Sequence, residues 1–168
     1  MAKFAETLTR HPIVNASFVG DASDPDAHVV KYGQVNLGLA VATDSGLVVP
    51  VISNAANLSL AEIAQRRSDI VPRARSGRLK ADESSGGTFT VSNLGGMGID
   101  SFTAVINPPE AAILAVGRII DEPVAEDGRM WVEPTMELTL SADHRVIDGS
   151  IGAAFLVDLV SSLEQAPE

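Results

Sequence analysis

The sequence predicts a mixed α/β (α+β) fold, a strand-rich middle with flanking helices. Three observations predict it. The chain has 168 residues, 45% of them hydrophobic, which suits one domain with a real core. Short runs rich in Val, Ile, Leu and Ala, separated by Gly, Pro, Asn and Asp, fill the region from Asn15 to Ala142. Patterns of helical period occur at residues 2–10, from Leu60 to Ala74, and from Ser150 to Leu163.

Taken in order, Phe4 and Leu8 share one face of a first helix, which His11-Pro12 stops because the residue before proline avoids helical dihedrals. Asn15–Val19 and His28–Tyr32 read as short strands around the polar loop Gly20–Ala27. The loop aspartates Asp21, Asp24 and Asp26 suit either a solvated turn or a calcium loop; the calcium-loop glycine and terminal glutamate are missing. Val35–Thr43 and Leu47–Ile52 read as strands joined by Asp44-Ser45-Gly46, which carries hairpin chemistry. Ser59 and Glu62 form the pattern of a capping box, each side chain satisfying a backbone N–H at a helix start. Pro72 sits awkwardly inside that helix and Gly77 is a natural stop. Its basic residues, from Arg66 to Lys80, read as a solvated face or a phosphate patch. Further strands are expected at Thr88–Ser92, Phe102–Ile106, Ala111–Gly117 and Met130–Ala142, with a turn at Asp127-Gly128. The last helix places Ile151, Phe155, Leu159 and Leu163 on one face.

Composition narrows the function. Twelve basic against 22 acidic residues give a net charge of −10, and no basic cluster exists of the kind that displaces counterions from nucleic acid. The apolar runs Leu47–Ile52 and Ala111–Val116 are far shorter than the ~20 residues that span a bilayer. The first six residues lack the apolar stretch of a signal peptide, so a cytoplasmic location with no membrane partner is expected. There is no cysteine, so any thiol chemistry must use a thiol from a substrate. Only three histidines, His11, His28 and His144, stand far apart, which argues against a metal centre.

Two segments can carry chemistry. Asp143-His144-Arg145-Val146-Ile147-Asp148-Gly149 links a strand of alternating pattern to the last helix. His144 sits where a rigid frame holds a loop residue. Imidazoles titrate near pH ~6.5 and so exchange protons at neutral pH. Asp148 can organise the turn or pair with a nearby arginine. A lone His and Asp also fit a purely structural turn. The second segment is Thr90-Val91-Ser92-Asn93-Leu94-Gly95-Gly96. There a strand-end hydroxyl can donate to an oxyanion and glycines permit close backbone approach, or the glycines simply form a turn. The spacing fits neither a dinucleotide fingerprint nor a nucleophile elbow.

Six stretches together resemble the catalytic domain of the dihydrolipoamide acyltransferases, the core component of 2-oxoacid dehydrogenase complexes. They are residues 11–18 (His11-Pro12 to Phe18), 35–43 (Val35-Asn36-Leu37-Gly38 to Thr43), 46–52 (Gly46-Leu47-Val48-Val49-Pro50-Val51-Ile52), 86–95 (Gly86-Gly87-Thr88-Phe89-Thr90-Val91-Ser92-Asn93-Leu94-Gly95), 106–114 (Ile106-Asn107-Pro108-Pro109-Glu110 to Leu114) and 143–149 (Asp143-His144-Arg145 to Gly149). Their order and spacing agree along nearly the whole chain.

The resemblance implies a chloramphenicol acetyltransferase-like fold, a trimer with sites between subunits, and catalysis by His144 as general base. It implies that Ser92 of an adjacent subunit stabilises the oxyanion and that Asp148 orients or supports. Coenzyme A and a lipoyl group would be substrates entering a channel from opposite ends, with no metal; no cofactor-binding residue is assigned. Expected partners are a homotrimer or larger cage and the 2-oxoacid dehydrogenase and dihydrolipoamide dehydrogenase components. Ser92-Asn93-Leu94-Gly95 and Asp100-Ser101-Phe102-Thr103 look like the acetyl-transferring branch; succinyl-transferring relatives tend to have Thr-Asn-Gly-Gly at the first, and a branched-chain acyl group stays open. Residues 1–168 read as the catalytic domain without the upstream helix and strand, the lipoyl domain and the subunit-binding domain of relatives, hence a fragment or a shortened homologue. Two other readings are a small-molecule O- or N-acetyltransferase of the same fold and a scaffold without turnover.

Overall fold

The computed structural model describes residues 1–21 and 23–165. Its helices are α1 (Ala2–Arg10), α2 (Leu60–Arg75) and α3 (Gly149–Glu164). Its strands are β1 (Ala16–Val19), β2 (His28–Lys31), β3 (Leu37–Leu39), β4 (Val41–Thr43), β5 (Gly46–Val48), β6 (Val51–Ile52), β7 (Phe89–Asn93), β8 (Ala112–Val116), β9 (Ile120–Glu126), β10 (Arg129–Thr135) and β11 (Leu138–Ala142). A five-stranded sheet in the order β11–β8–β7–β3–β6 forms the centre. Within it β3, β7 and β8 run parallel, and β11 and β6 pair antiparallel at the two edges. The pairs β1–β2, β4–β5 and β9–β10 are antiparallel hairpins. The predicted mixed sheet with flanking helices is the observed one. Among the described residues no helix is long and apolar enough to cross a membrane.

Alternation along each strand divides the central sheet into two unlike faces. Leu37, Phe89, Val91, Leu114 and Leu140 share one face by register. Phe155 of α3 meets that face, its ring 5.8 Å from that of Phe89, and Gly152 lies over Leu140. Phe155 and Leu159 are fully buried and α1 lies alongside α3, which is why the four-residue step of apolar positions was readable in the sequence. The other face carries Gly38, Thr90, Ser92, Ile113, Ala115, Thr139 and Ser141.

The capping box is present: the Ser59 N–H donates to Glu62 Oε2 at 2.8 Å, and the Glu62 N–H to Ser59 Oγ at 3.3 Å. Helix α2 continues through Pro72 to Arg75 and is closed by Gly77, which has a positive φ of 67°. There the Arg78 N–H reaches back to the Arg73 carbonyl at 2.8 Å, the six-to-one bond of a Schellman ending. Arg73 joins Asp69 and Glu83 rather than an open phosphate patch. Asp21 accepts from the Ser23 N–H and hydroxyl, and Asp24 from the Asp26 N–H, so these aspartates shape turns.

Several element boundaries differ from expectation. Val35–Thr43 is two strands, because β3 hands its pairing to Pro50 and β7 and the chain leaves the sheet at Ala40. Leu47–Ile52 is also split, at Pro50, which has no N–H for a ladder. Phe102–Ile106 is not a strand: among the described residues no strand pairs with it, and Val105 is almost wholly exposed. Met130–Ala142 divides into β10 and β11, and β9 is an unanticipated partner for β10.

Truncating the buried ring in Phe155→Ala is expected to cost about 3–5 kcal/mol by denaturant unfolding. Arg73 holds the Glu83 carboxyl down to about 2 from an ordinary 4.5, donating to it at 2.7 Å. A depressed carboxylate stabilises above its ordinary value and loses that contribution as the pH falls from 4.5 towards 2. Glu83→Gln should therefore lower the unfolding midpoint at pH 7, and the gap from the parent should close across that acid window.

Candidate active site

His144 sits in a turn pinned from both sides. Strand β11 ends at Ala142, and the next N–H, of Asp143, donates to the Ala111 carbonyl at 2.8 Å. The Asp143 carbonyl then accepts from Val146 and Ile147, each at 2.9 Å, and both of those side chains are buried. The Asp143 carboxylate accepts from the Arg145 N–H at 3.0 Å and from its guanidinium at 2.6 Å. That guanidinium lies 4.1 Å from the Phe18 ring centre, a cation–π stack. The Arg145 hydrogen bonds hold the Asp143 carboxyl below the usual carboxylate range. The residues on either side of His144 are thus fixed while its own side chain is exposed.

Asp148 caps α3. Its Oδ1 accepts from the Ile151 N–H at 2.9 Å and from Ser150 Oγ at 2.7 Å, the Ser150 hydroxyl being the larger cause of its lowered pKa. Of the two expectations for Asp148, turn organisation is what the geometry provides; Arg145 pairs with Asp143 instead. A carboxylate here also sits favourably at the positive end of the helix.

Ser92 lies near the C-terminal end of β7, nearly buried, on the sheet face opposite Phe89 and Val91. Gly95, after it, and Gly117 serve the protein's own backbone. A Cβ on Gly95 would lie 2.6 Å from the Gly117 carbonyl oxygen, and one on Gly117 would lie 1.7 Å from the Asp100 carbonyl oxygen. The close approach expected for a substrate is therefore taken, at Gly95, by residues 117 and 118.

One chain does not bring Ser92 and His144 together. Ser92 is level with Ala115 and Thr139, whereas His144 lies beyond the Ala112–Ala142 pair, two strands across. With strands about 4.8 Å apart and about 3.3 Å per residue, the two positions are separated by roughly 14 Å or more. That exceeds the reach of two groups acting on one carbonyl.

A third functional candidate escaped the sequence reading. Glu110 is only 4% exposed and lines a cavity of about 570 Å³ with Tyr32, Asn36, Leu47, Val49 and Asn107. Its Oε1 accepts from Asn107 Nδ2 at 3.3 Å. Burial raises its pKa; Thr90 and Asn107 oppose the shift from close by. Thr90 Oγ1 and Glu110 Oε2 nevertheless have no hydrogen-bond partner of good geometry among the described residues. In the sequence Glu110 merely follows Pro108-Pro109, and a surface turn is the ordinary reading of such a glutamate. Among the described residues no group of three or more His, Asp or Glu is arranged to hold a metal ion.

Residues 1–168 match the model of the family described as 2-oxoacid dehydrogenases acyltransferase (catalytic domain). The chain is 46% identical over 164 residues to the mitochondrial dihydrolipoyllysine-residue acetyltransferase component of the pyruvate dehydrogenase complex of Schizosaccharomyces pombe, covering 96% of this chain and 33% of that protein. It is 43% identical over 159 residues to the dihydrolipoyllysine-residue succinyltransferase component of the 2-oxoglutarate dehydrogenase complex of Azotobacter vinelandii, covering 95% and 38%. The chain thus spans about a third of the length of these relatives. Among solved structures it superposes on A. vinelandii dihydrolipoamide acetyltransferase with a TM-score of 0.88 at 36% identity, covering 98% of this chain and 66% of that one. That crystal structure accompanies a study of a serine, a histidine and an asparagine in the catalytic mechanism. The cubic core of the pyruvate dehydrogenase multienzyme complex gives a TM-score of 0.87 at 35% identity, covering 98% and 68%. A chloramphenicol acetyltransferase, at 17% identity and a TM-score of 0.57 over 96% of this chain and 74% of that one, shares the fold.

If Asp148 acts as the cap of α3, Asp148→Ala should lower the unfolding midpoint while Asp148→Asn, an equally good cap, leaves it nearly unchanged. Thermal unfolding of the two variants side by side checks this.

Proposed function

This chain belongs to the catalytic-domain family of the 2-oxoacid dehydrogenase acyltransferases, and from that premise we propose that it moves an acyl group, acetyl in preference, between dihydrolipoamide and coenzyme A. The observation that carries the assignment of residues is a spacing. In the A. vinelandii acetyltransferase the serine, histidine and asparagine studied are separated by 52 and 4 positions, and Ser92, His144 and Asp148 have the same separations. Asp148 stands where that enzyme has an asparagine; both are strong helix caps.

In the proposed reaction His144 removes the proton of an incoming thiol as its sulfur attacks the thioester carbonyl. The new carbon–sulfur bond forms, the carbonyl electrons move onto oxygen, and the hydroxyl of Ser92 donates to that oxyanion. Collapse expels the other thiolate, which takes the proton back from His144. No protein thiol takes part, in keeping with a chain without cysteine. The separation of Ser92 from His144 within one chain supports a site made by two subunits, His144 from one and Ser92 from its neighbour. Resemblance to the cubic core supports oligomeric assembly in a 2-oxoacid dehydrogenase complex; a trimer as the unit, with the dehydrogenase and dihydrolipoamide dehydrogenase components as partners, belongs to the proposal. Both acetyl- and succinyl-transferring relatives match at similar identity. The preference for acetyl rests on Ser92-Asn93-Leu94-Gly95.

Acetyl and succinyl transfer from the coenzyme A thioesters to dihydrolipoamide should be measured together. His144→Ala is expected to lower transfer by about 10²–10⁴-fold and Ser92→Ala by about 10²–10³-fold. Unfolding and refolding the two inactive variants together should restore activity, because mixed oligomers contain interfaces with both groups intact. No recovery in verified mixed oligomers would refute the shared site, and an unchanged rate in His144→Ala would refute the base.

A further inference from the structure

Two systems of hydrogen bonds hold the turn that carries His144, and the first suffices to close it. It is main chain: the Asp143 N–H donates to the Ala111 carbonyl, and the Val146 and Ile147 N–H groups donate to the Asp143 carbonyl, backed by two buried side chains. The second is the side-chain pair of Asp143 and Arg145. The Arg145 side chain is half exposed, and an exposed ion pair adds little to stability. Holding the fold together therefore does not account for the pair.

Its geometry is directed at the imidazole. Asp143 Oδ1 accepts from the Arg145 N–H at 3.0 Å, an Asx turn, while the Asp143 carbonyl accepts from the Val146 N–H at 2.9 Å. His144 lies inside both hydrogen-bonded rings, so the carboxylate fixes the backbone from which the imidazole projects. The carboxylate is itself fixed. Arg145 Nε donates to Oδ1 at 3.0 Å and Nη2 to Oδ2 at 2.6 Å, a two-pronged hold on the carboxylate plane. Phe18 of β1 supports the guanidinium from its ring face. The pair also governs charge. One negative and one positive group stand on the residues flanking His144, and they offset each other. Facing this turn from other elements are Asp148, at the start of α3 and within electrostatic reach of the imidazole, and Asp21 of the β1–β2 loop, which acts on Arg145.

We propose that Asp143 and Arg145 are positioning residues for the His144 base, the carboxylate fixing the attachment of the imidazole and the pair keeping the charge beside it balanced. The proposal rests on the acyltransferase reading, in which His144 takes and returns the thiol proton.

The test measures, in the intact chain, the pH profile of acetyl transfer from acetyl-coenzyme A to dihydrolipoamide and the NMR titration of the His144 ring, identified by its loss in His144→Ala. The variants are Asp143→Ala, Asp143→Asn, Arg145→Gln and the Asp143→Asn/Arg145→Gln double. Asparagine keeps the Asx-turn acceptor and removes the charge, whereas alanine removes both. Asp143→Ala should lower kcat by about ten- to a hundredfold with KM little changed, and Asp143→Asn should restore kcat to within a few-fold at its own optimum. In Asp143→Asn the unopposed guanidinium disfavours a protonated imidazole, so the acid limb and the ring titration should move to lower pH. In Arg145→Gln the unopposed carboxylate favours it, and both should move to higher pH, each by about 0.5 pH unit. The double variant should return to the parent midpoint. A merely structural pair would lower rate and unfolding midpoint without opposed shifts, and that result overturns the proposal, as does kcat within about twofold of the parent in Asp143→Ala. If Asp143→Ala does not fold, the opposed shifts of the two charge variants decide. Loss of transfer in His144→Ala with no effect of any Asp143 or Arg145 variant overturns the positioning role alone. Opposed ring shifts in a chain that transfers no acyl group overturn the acyltransferase reading and leave the hold on the imidazole standing.

Discussion

The parallel register of β3, β7 and β8, closed at one edge by antiparallel β11, is the constraint from which the rest follows. It aligns Leu37, Phe89, Val91, Leu114 and Leu140 on one face, and burial of that face, with Phe155 of α3 packed on Phe89, contributes apolar cohesion to the core. The same alternation commits Thr90, Ser92, Thr139 and Ser141 to the opposite face. A one-residue slip of β7 would exchange Phe89 and Val91 for Thr90 and Ser92 and bury hydroxyls under Phe155. Core and chemistry are therefore fixed by one choice of register.

Register also explains why the candidate catalytic groups lie apart within one chain. Antiparallel β11 delivers His144 to the end of the sheet where β8 begins, whereas Ser92 lies near the end where β7 finishes. No local rearrangement of a turn spans that distance, because the His144 turn is tied to Ala111, closed by Asp143 and anchored by buried Val146 and Ile147. In the shared site proposed above, this rigidity would let a fixed imidazole on one subunit be met by a fixed hydroxyl on the next. The stack of Arg145 on Phe18 adds a tie from β1 to the same turn.

Glycine has two distinct uses near these groups. Gly95 and Gly117 let two stretches of backbone pass at a separation no side chain permits, which seats the turn after Ser92. Gly38 and Gly87 instead make room for oxygens of Thr90 and Glu110. The first pair shapes the scaffold, and the second leaves space in which a carboxyl can remain desolvated beside a cavity.

The sequence by itself determined the elements whose signals are local: the Ser59–Glu62 box, the Gly77 stop, the hairpin at Asp44-Ser45-Gly46, and α3 with its four-residue step. Hydrogen bonds and periodicity within a few residues suffice for each. It also put forward Ser92, His144 and Asp148 as candidates, through the family resemblance of the ordered stretches that contain them. Only the tertiary structure decided the splitting of Val35–Thr43 and Met130–Ala142, the absence of a strand at Phe102–Ile106, and the burial of Glu110. Strand partners, the crossing of backbones at Gly117 and the desolvation of a carboxyl all depend on residues distant in the chain, and no local pattern encodes which neighbours will arrive.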